Sequence, residues 1–385
     1  MIKCRIVLCL LTFVMLSRFA VGGAEYVLVN NNNSVANSAI LYRLNRSTGR
    51  LREFLVLPTD GLGTGAVGGD FSGVQEADSA NARCLFVLDT GSSDVAAFSK
   101  ATGYKRVWSY FNQNLISGAD GDSITLRPDG RFLYARYSRT GNLGAWSGNS
   151  DCTLTFIAKS AYLTPVGPLG VTPNGKYLLA RGLGGIAEFT IDKQTGNPTY
   201  IGTTSFMSGA CARQSACLPY GIQISEDSKL AIFSSFALDA RRENEIPLML
   251  TAQITSQGPI NPTARNLTIE KNLRFNIFPF LSAAAYNGNG TIYLGVTSGG
   301  ASTPGMLTAD FIEKPAKFAV TNSTVASPEV GNVAVTGSLM VVAQYPNQIS
   351  VFRIQKDGSL KLLSTTTIDQ QGEGLFSLSI FPNTR

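Results

Sequence analysis

The chain of 385 residues contains no histidine. Zinc sites of the Cys/His type are therefore excluded, and no Cys-x-x-Cys pair occurs either. Charge is scarce as well, at 15 % of residues, and Lys and Arg are scattered. The basic patch that nucleic-acid binding needs is missing. Tryptophan occurs twice. Beyond the first two dozen residues no apolar run is long enough to cross ~30 Å of hydrocarbon, so no membrane span is expected. Glycine, by contrast, is plentiful at 39 residues, and apolar residues make up 44 %. That mix fits an all-β protein with many turns and a sizeable core.

Residues 1–24 read differently from the rest. Lys3 and Arg5 precede an apolar run from Ile6 to Met15, and Gly22 and Ala24 stand at the −3 and −1 positions of a cut before Glu25. This is the pattern of a secretory signal peptide. The expected product is residues 25–385, a single domain, secreted or periplasmic. Loss of Lys3, Arg5 and Arg18 lowers the formal charge from +6 to +3. Cys4 and Cys9 leave with the signal, and Cys84, Cys152, Cys211 and Cys217 remain. Cys211 and Cys217 share one loop, GACARQSACLPYG, and are expected to bridge in an oxidising compartment. For Cys84 and Cys152, pairing and burial as free thiols both stay open. Asn-x-Ser/Thr sequons occur at Asn32, Asn45, Asn266, Asn289 and Asn322.

An internal repeat runs the length of the chain. LRPDGRFLYAR at 126–136 returns as VTPNGKYLLAR at 171–181, each a strand, a tight turn and a second strand. Proline presets the turn and glycine supplies the positive φ. Weaker copies start at Ala77, Ile224, Tyr286 and Val333. The turn residues are Ala82, Gly130, Gly175, Ser228, Gly290 and Gly337, spaced 45 to 62 apart. That is the period of a four-stranded propeller blade with insertions. Third strands such as IAEFTID and ISVFRIQ follow, then turns such as QTGN and KDGS, then fourth strands such as LKLLSTTTI. The C-terminal GLFSLSIFPNTR is a first strand without a blade, and EYVLVNNN at 25–32 is a second strand without a first. Joined, they complete a blade and remove two sheet edges. The expected fold is an all-β, seven-bladed β-propeller closed by its terminal strands.

The repeat PDGRFLYAR…IAEFTID…TG resembles the lactonase-like, seven-bladed β-propeller family with YVTN-type repeats, which includes 6-phosphogluconolactonase-like and carboxymuconate-cyclase-like proteins. The resemblance covers nearly all of residues 25–385. It implies a lactone-hydrolysing activity and no cofactor. Family members with that activity often carry Gly-Pro-Arg-His at the first strand of a blade. Here the matching stretch is GPLGVTPNGK, with Leu169 and Gly170 in the Arg and His places. Asp or Glu would have to act as base.

One stretch imitates a different enzyme. LFVLDTGSSDVAAF at 85–98 resembles the active-site loop of pepsin-like aspartic proteases. Such enzymes need a second carboxylate motif to share a proton, and none occurs downstream. VLDTGSSDVAAF aligns without a gap on VVAQYPNQISVF at 341–352, placing DTGSSD in the loop from strand two to strand three.

The face carrying those loops is the expected binding face, since loops on a rigid scaffold carry recognition. Long connections at 58–73 and 208–221 lie there. Arg136 and Arg181 share one repeat position at the end of strand two, opposite Asn30, Leu88, Ser234, Val296 and Ala343 in the other repeats. Two guanidinium groups suit a carboxylate or phosphate, and pairing with Asp89, Asp94, Asp120 or Asp122 is the simpler account. Arg136, Arg181, Asp89 and Asp122 are the candidate ligand-binding residues. GLGTGAVGG at 61–69 has no helix start behind it and reads as an inter-blade loop. DGDS at 120–123 is too small a ligand set for calcium, so no metal is expected. Packing and stacking roles stay open for Trp108 and Trp146. Segments 239–247 and 261–278 read as insertions.

Two functions follow. The main expectation is an exported monomeric module that binds a small anionic ligand or a protein partner without chemistry. The alternative is a lactonase-like hydrolase acting on a small anionic lactone.

Overall fold

A computed structural model describes residues 25–63, 83–110, 121–137, 141–160, 169–182, 185–205, 216–225, 227–238, 245–255, 258–268, 279–286, 291–298, 306–313, 316–324, 329–345, 347–368 and 377–382. Among them the structure is nearly all strand, with one helical turn, the 3-10 turn Lys100–Thr102. The strands form antiparallel meanders, as in an all-β propeller.

The first sheet runs in the order Ser377–Pro382, Glu25–Asn30, Ser38–Leu44, Leu51–Pro58. The C-terminal strand thus pairs antiparallel with the first described strand, Val27 opposite Ile380. Glu25 is buried there, and its carboxylate takes the Arg46 guanidinium and the Thr336 hydroxyl. The second sheet shows three strands, Cys84–Asp89, Asp94–Ser99 and Lys105–Tyr110. The third is Gly121–Leu126, Phe132–Tyr137, Asn142–Gly148 and Leu154–Ser160. The fourth is Leu169–Val171, Tyr177–Gly182, Gly185–Ile191 and Pro198–Ser205. Next come two meanders, from Ala216 to Thr268 and from Pro279 to Thr324, joined by a short parallel pairing of Leu267 with Phe318. The last sheet spans Glu329 to Thr367.

The repeat turns form as their sequences require. Gly130 and Gly175 have φ of 68°, and their amides donate to Arg127 and Thr172 carbonyls at 2.8 and 2.7 Å. Ser228 takes the same left-handed position with φ of 59°. Segments 245–247 and 261–268, expected as insertions, are instead parts of the long strands Glu245–Thr255 and Gly258–Thr268.

Apolar clusters lie between successive sheets. Tyr26, Leu28 and Leu41 of the first sheet meet Leu85, Val87 and Phe98 of the second. Phe86, Leu88 and Val95 meet Ile124, Leu133 and Trp146 of the third. Phe132 and Tyr134 meet Leu178 and Phe189 of the fourth. Val27, Val29 and Ile40 meet Leu339, Val341 and Ile349 of the last. The strands Glu25–Asn30, Cys84–Asp89 and Phe132–Tyr137 are buried on both faces, whereas an outer strand such as Pro198–Ser205 alternates between exposed and half-buried. Trp146 is fully buried and Trp108 packs against the same cluster, so both serve packing.

Cys84 and Cys152 are bonded, with Cα atoms 5.4 Å apart across 68 residues of sequence. Of the two accounts open for these thiols, pairing holds. Cys84 begins a strand of the second sheet, and Cys152 sits in the turn after Asn142–Gly148 of the third. Cys211 lies outside the described residues, as does the side chain of Cys217.

Candidate functional site

The ends of the second strands collect the candidate residues. Arg136 is the penultimate residue of the strand Phe132–Tyr137 in the third sheet and is fully buried. Its Nη1 donates to the carbonyl of Arg181 at 2.9 Å. Asn30 holds the same repeat position in the first sheet, and its Nδ2 donates to the carbonyl of Leu88 at 3.0 Å. Leu88 and Arg181 are themselves counterparts. The same clasp, side chain to the next sheet's backbone, therefore occurs at two junctions. A buried guanidinium or amide needs such an acceptor to offset desolvation. Arg181 is 7 % exposed and so stands nearer to solvent than Arg136.

The two arginines are thus brought together, but not as paired heads on a rim. Asp122 lies at a bulge between Gly121 and Ser123, opposite Tyr137 and Arg136, and its side chain is outside the described set. Asp89 keeps other company. It is fully buried at the end of Cys84–Asp89, and its Oδ1 accepts from Asn37 Nδ2 at 2.5 Å and Thr59 Oγ1 at 2.7 Å. Its Oδ2 has no hydrogen-bond partner among the described residues. Burial raises its pKa to about 7, with a smaller upward push from Asp94, against the Thr59 and Asn37 bonds and the charge of Arg106. The cation beside Asp89 is therefore Arg106, whose Nη1 donates to the Thr59 carbonyl at 2.6 Å and whose Nη2 pairs with Asp60. Asp89, a candidate ligand-binding residue by its sequence, is thus fully buried, an interior strut between the first two sheets.

The loops around it are built for close approach. Asn31 and Ser38 bond to each other, Thr90 Oγ1 donates to Asn32 Oδ1 at 2.8 Å, and Gly63 N donates to the Asn33 carbonyl at 2.7 Å. A Cβ on Gly61 would overlap the Asp89 carboxylate, and one on Gly63 would overlap the Asn32 backbone. The described start of the Gly-rich loop is therefore packed in place; its remainder, like 206–215 of the other long connection, is outside the described residues. Asn32, a sequon asparagine, is only 3 % exposed.

The gapless alignment of this loop is one residue out on its first half. Leu88 pairs with Val95 as Ala343 pairs with Ile349, and Leu88 faces the next sheet as Ala343 does. Val87 faces the preceding sheet while Val341 faces the following one. The DTGSSD loop thus holds one extra residue, and Ser93 has a positive φ of 63° within it. Among the described residues no group of three or more His, Cys, Asp or Glu is placed to hold a metal.

No family model matches the chain. No curated protein matches either. Solved structures do. A 6-phosphogluconolactonase-like protein of Bacteroides uniformis shares 12 % identity over 93 % of this chain and 99 % of that one, with a TM-score of 0.68. The periplasmic gluconolactonase of Pseudomonas aeruginosa shares 13 % over 94 % and 100 %, with a TM-score of 0.64. Hydrazine synthase of Kuenenia stuttgartiensis shares 11 % over 85 % and 94 %, with a TM-score of 0.57. The chain has the fold of the lactonase-like β-propellers. The third likeness shows that this fold by itself does not choose a reaction.

Proposed function

We propose that the protein is an exported, lactonase-like propeller that opens a small anionic lactone. The observation that carries this is the likeness to the periplasmic gluconolactonase, which spans 94 % of this chain. In this reading the sheets make seven blades, the eight-stranded one counting as two, and Ser377–Pro382 closes the ring. The disulfide supports an oxidising compartment.

Lactone opening adds water to the carbonyl carbon and breaks the ring C–O bond. A base takes the water proton, and that proton returns to the departing alkoxide. Arg181 is the group that binds the anion and steadies the developing oxyanion. Arg136 positions Arg181 through its backbone carbonyl. The base is a carboxylate of Asp or Glu, since the chain contains no histidine. The ligand is a small anionic one, and the working unit is a monomer.

The test is hydrolysis of 6-phosphogluconolactone, with the uncharged glucono-δ-lactone as the comparison that lacks the anion, read as acid release above the spontaneous rate. Arg181→Ala should lower the rate by about 10²-fold. Acid release no faster than in buffer for both lactones sinks the reading. The exported protein should begin at Glu25, as Edman sequencing would report; a start at Met1 in the secreted fraction refutes processing. A second reading, binding without turnover, draws on the missing histidine and on Arg136 being spent inside the fold. It predicts saturable calorimetric heat with the same lactones and no acid release.

A further inference from the structure

Residues 31–37, 59–63 and 89–94 meet at Asp89. The middle segment is stitched to both of the others. Asn37 N donates to the Gly61 carbonyl at 3.0 Å, and Thr59 N donates to the Asn37 carbonyl at 3.2 Å. On the other side Gly91 N donates to the Leu62 carbonyl at 2.8 Å, and Leu62 N donates to Ser92 Oγ at 2.8 Å.

Asp89 lies beneath this stitching. Gly61 packs directly on its carboxyl group, so that a Cβ there would stand 2.3 Å from Oδ2 and 2.4 Å from Cγ. Asn37 and Thr59 both donate to Oδ1, and Oδ2 receives no donor among the described residues. A neutral carboxyl group tolerates that asymmetry, whereas an ionised one leaves charge on a dry oxygen. Charged groups face it from three elements. Asp94, opposite it in the strand pair, repels, and its Oδ1 accepts from the Ser92 hydroxyl. Arg106, on the strand Lys105–Tyr110, attracts, but its guanidinium bonds go to the Thr59 carbonyl and to Asp60 rather than to Asp89.

We infer that Asp89 is a proton-controlled latch: neutral, it holds residues 59–63 down between the other two loops, and ionised, it releases them so that water reaches the carboxylate. The release is local. Gly61 and Gly63 have no side chain to bury, and Leu62 is 42 % exposed. Lifting them bares little apolar surface, whereas the sheets beneath keep their clusters. The inference does not depend on the lactone reading, which rests on Arg181.

Amide hydrogen exchange on the intact protein at pH 4.5, 6 and 7.5 tests it, with each rate divided by the chemical exchange rate at that pH. Leu62, Gly63 and Gly91 are the reporters. Asp89 has a pKa of about 7 when latched against 3.8 ordinarily, so ionisation favours the open form increasingly up to pH 7. Opening at the reporters should rise about 10²-fold between pH 4.5 and 7.5. It should stay well ahead of opening at Phe132–Tyr137. In Asp89→Asn, neutral throughout, the rise should shrink to about ten-fold or less, the part left to Asp94. Should that variant fold poorly, the wild-type profile decides alone. A flat wild-type profile overturns the inference, as does an equal rise in a folded Asp89→Asn, or exchange of the reporters only together with Phe132–Tyr137.

Discussion

Replacing both Cys84 and Cys152 by serine lowers stability by about 2–5 kcal/mol. The bond closes a segment of 68 residues, so its loss frees a long loop in the unfolded chain. The native side loses as well. Both sulfurs are buried in the cluster with Phe86, Leu133 and Trp146, which joins the second sheet to the third. Cys152 sits at φ of 74°, a conformation the turn must hold without help once the bond is gone. The Cys152 sulfur also lies 3.4 Å from the Arg83 carbonyl, at the mouth of the strand Cys84–Asp89. Guanidinium unfolding with and without reductant checks this. Under reductant the wild type and the double variant should unfold together, and without it the wild type should be the more stable of the two. A wild-type curve unmoved by full reduction would refute it.

Asp89→Asn should remove a pH dependence that the wild type shows between pH 4 and 7. The folded pKa of Asp89 is raised to about 7 from 3.8. The folded protein therefore binds this proton more tightly than the unfolded chain does. Stability from this group is full below pH 4 and is lost as pH rises through 7. The difference between wild type and variant should grow across that window, up to about 4 kcal/mol. Asparagine keeps the shape and the acceptor oxygen for Asn37 and Thr59, and carries no charge to bury. Asp94 and Glu188 are also raised by burial and add the same sign in the wild type. Five exposed or half-exposed acids, Asp129, Asp151, Asp192, Asp227 and Asp357, are lowered and act in the opposite sense at lower pH. Urea unfolding of both proteins at pH 4.5, 6 and 8 measures the difference. A constant gap at all three values would show that Asp89 does not titrate there.

Much of the fold was legible because its determinants are local. A Pro-Asp-Gly or Pro-Asn-Gly turn needs positive φ at its glycine, and that need is met at Gly130 and Gly175. Outer strands alternate because one face is wet, so their pattern is written in polarity. The half-blades at the two ends of the chain were visible by complementarity, and Glu25–Asn30 does pair with Ser377–Pro382. The register of the second strands was less legible. They are buried on both faces, so Val87 and Val341 look alike although they face opposite neighbours. That is why the loop alignment slipped by one residue.

For the candidate residues, repeat position was legible and side-chain arrangement was not. Repeat position marked Arg136 and Arg181, and they do meet, yet as guanidinium on carbonyl. Asp89 stood out through an accidental protease motif. Its actual partners, Asn37 and Thr59, are 52 and 30 residues away. The packing of Gly61 on Asp89 had no signal at all, since it joins residues of separate loops.

By itself the amino-acid sequence determined an all-β chain of repeated four-stranded units, because turn dihedrals and strand polarity are properties of neighbouring residues. It also determined that no histidine chemistry takes place, because the residue is not there. Only the tertiary structure decided which cysteines bond, which carboxylate is stripped of water and which arginine is spent inside the fold. Those outcomes depend on where separate sheets come to rest against one another, and side-chain burial, unlike a turn, is settled by residues far away in the chain.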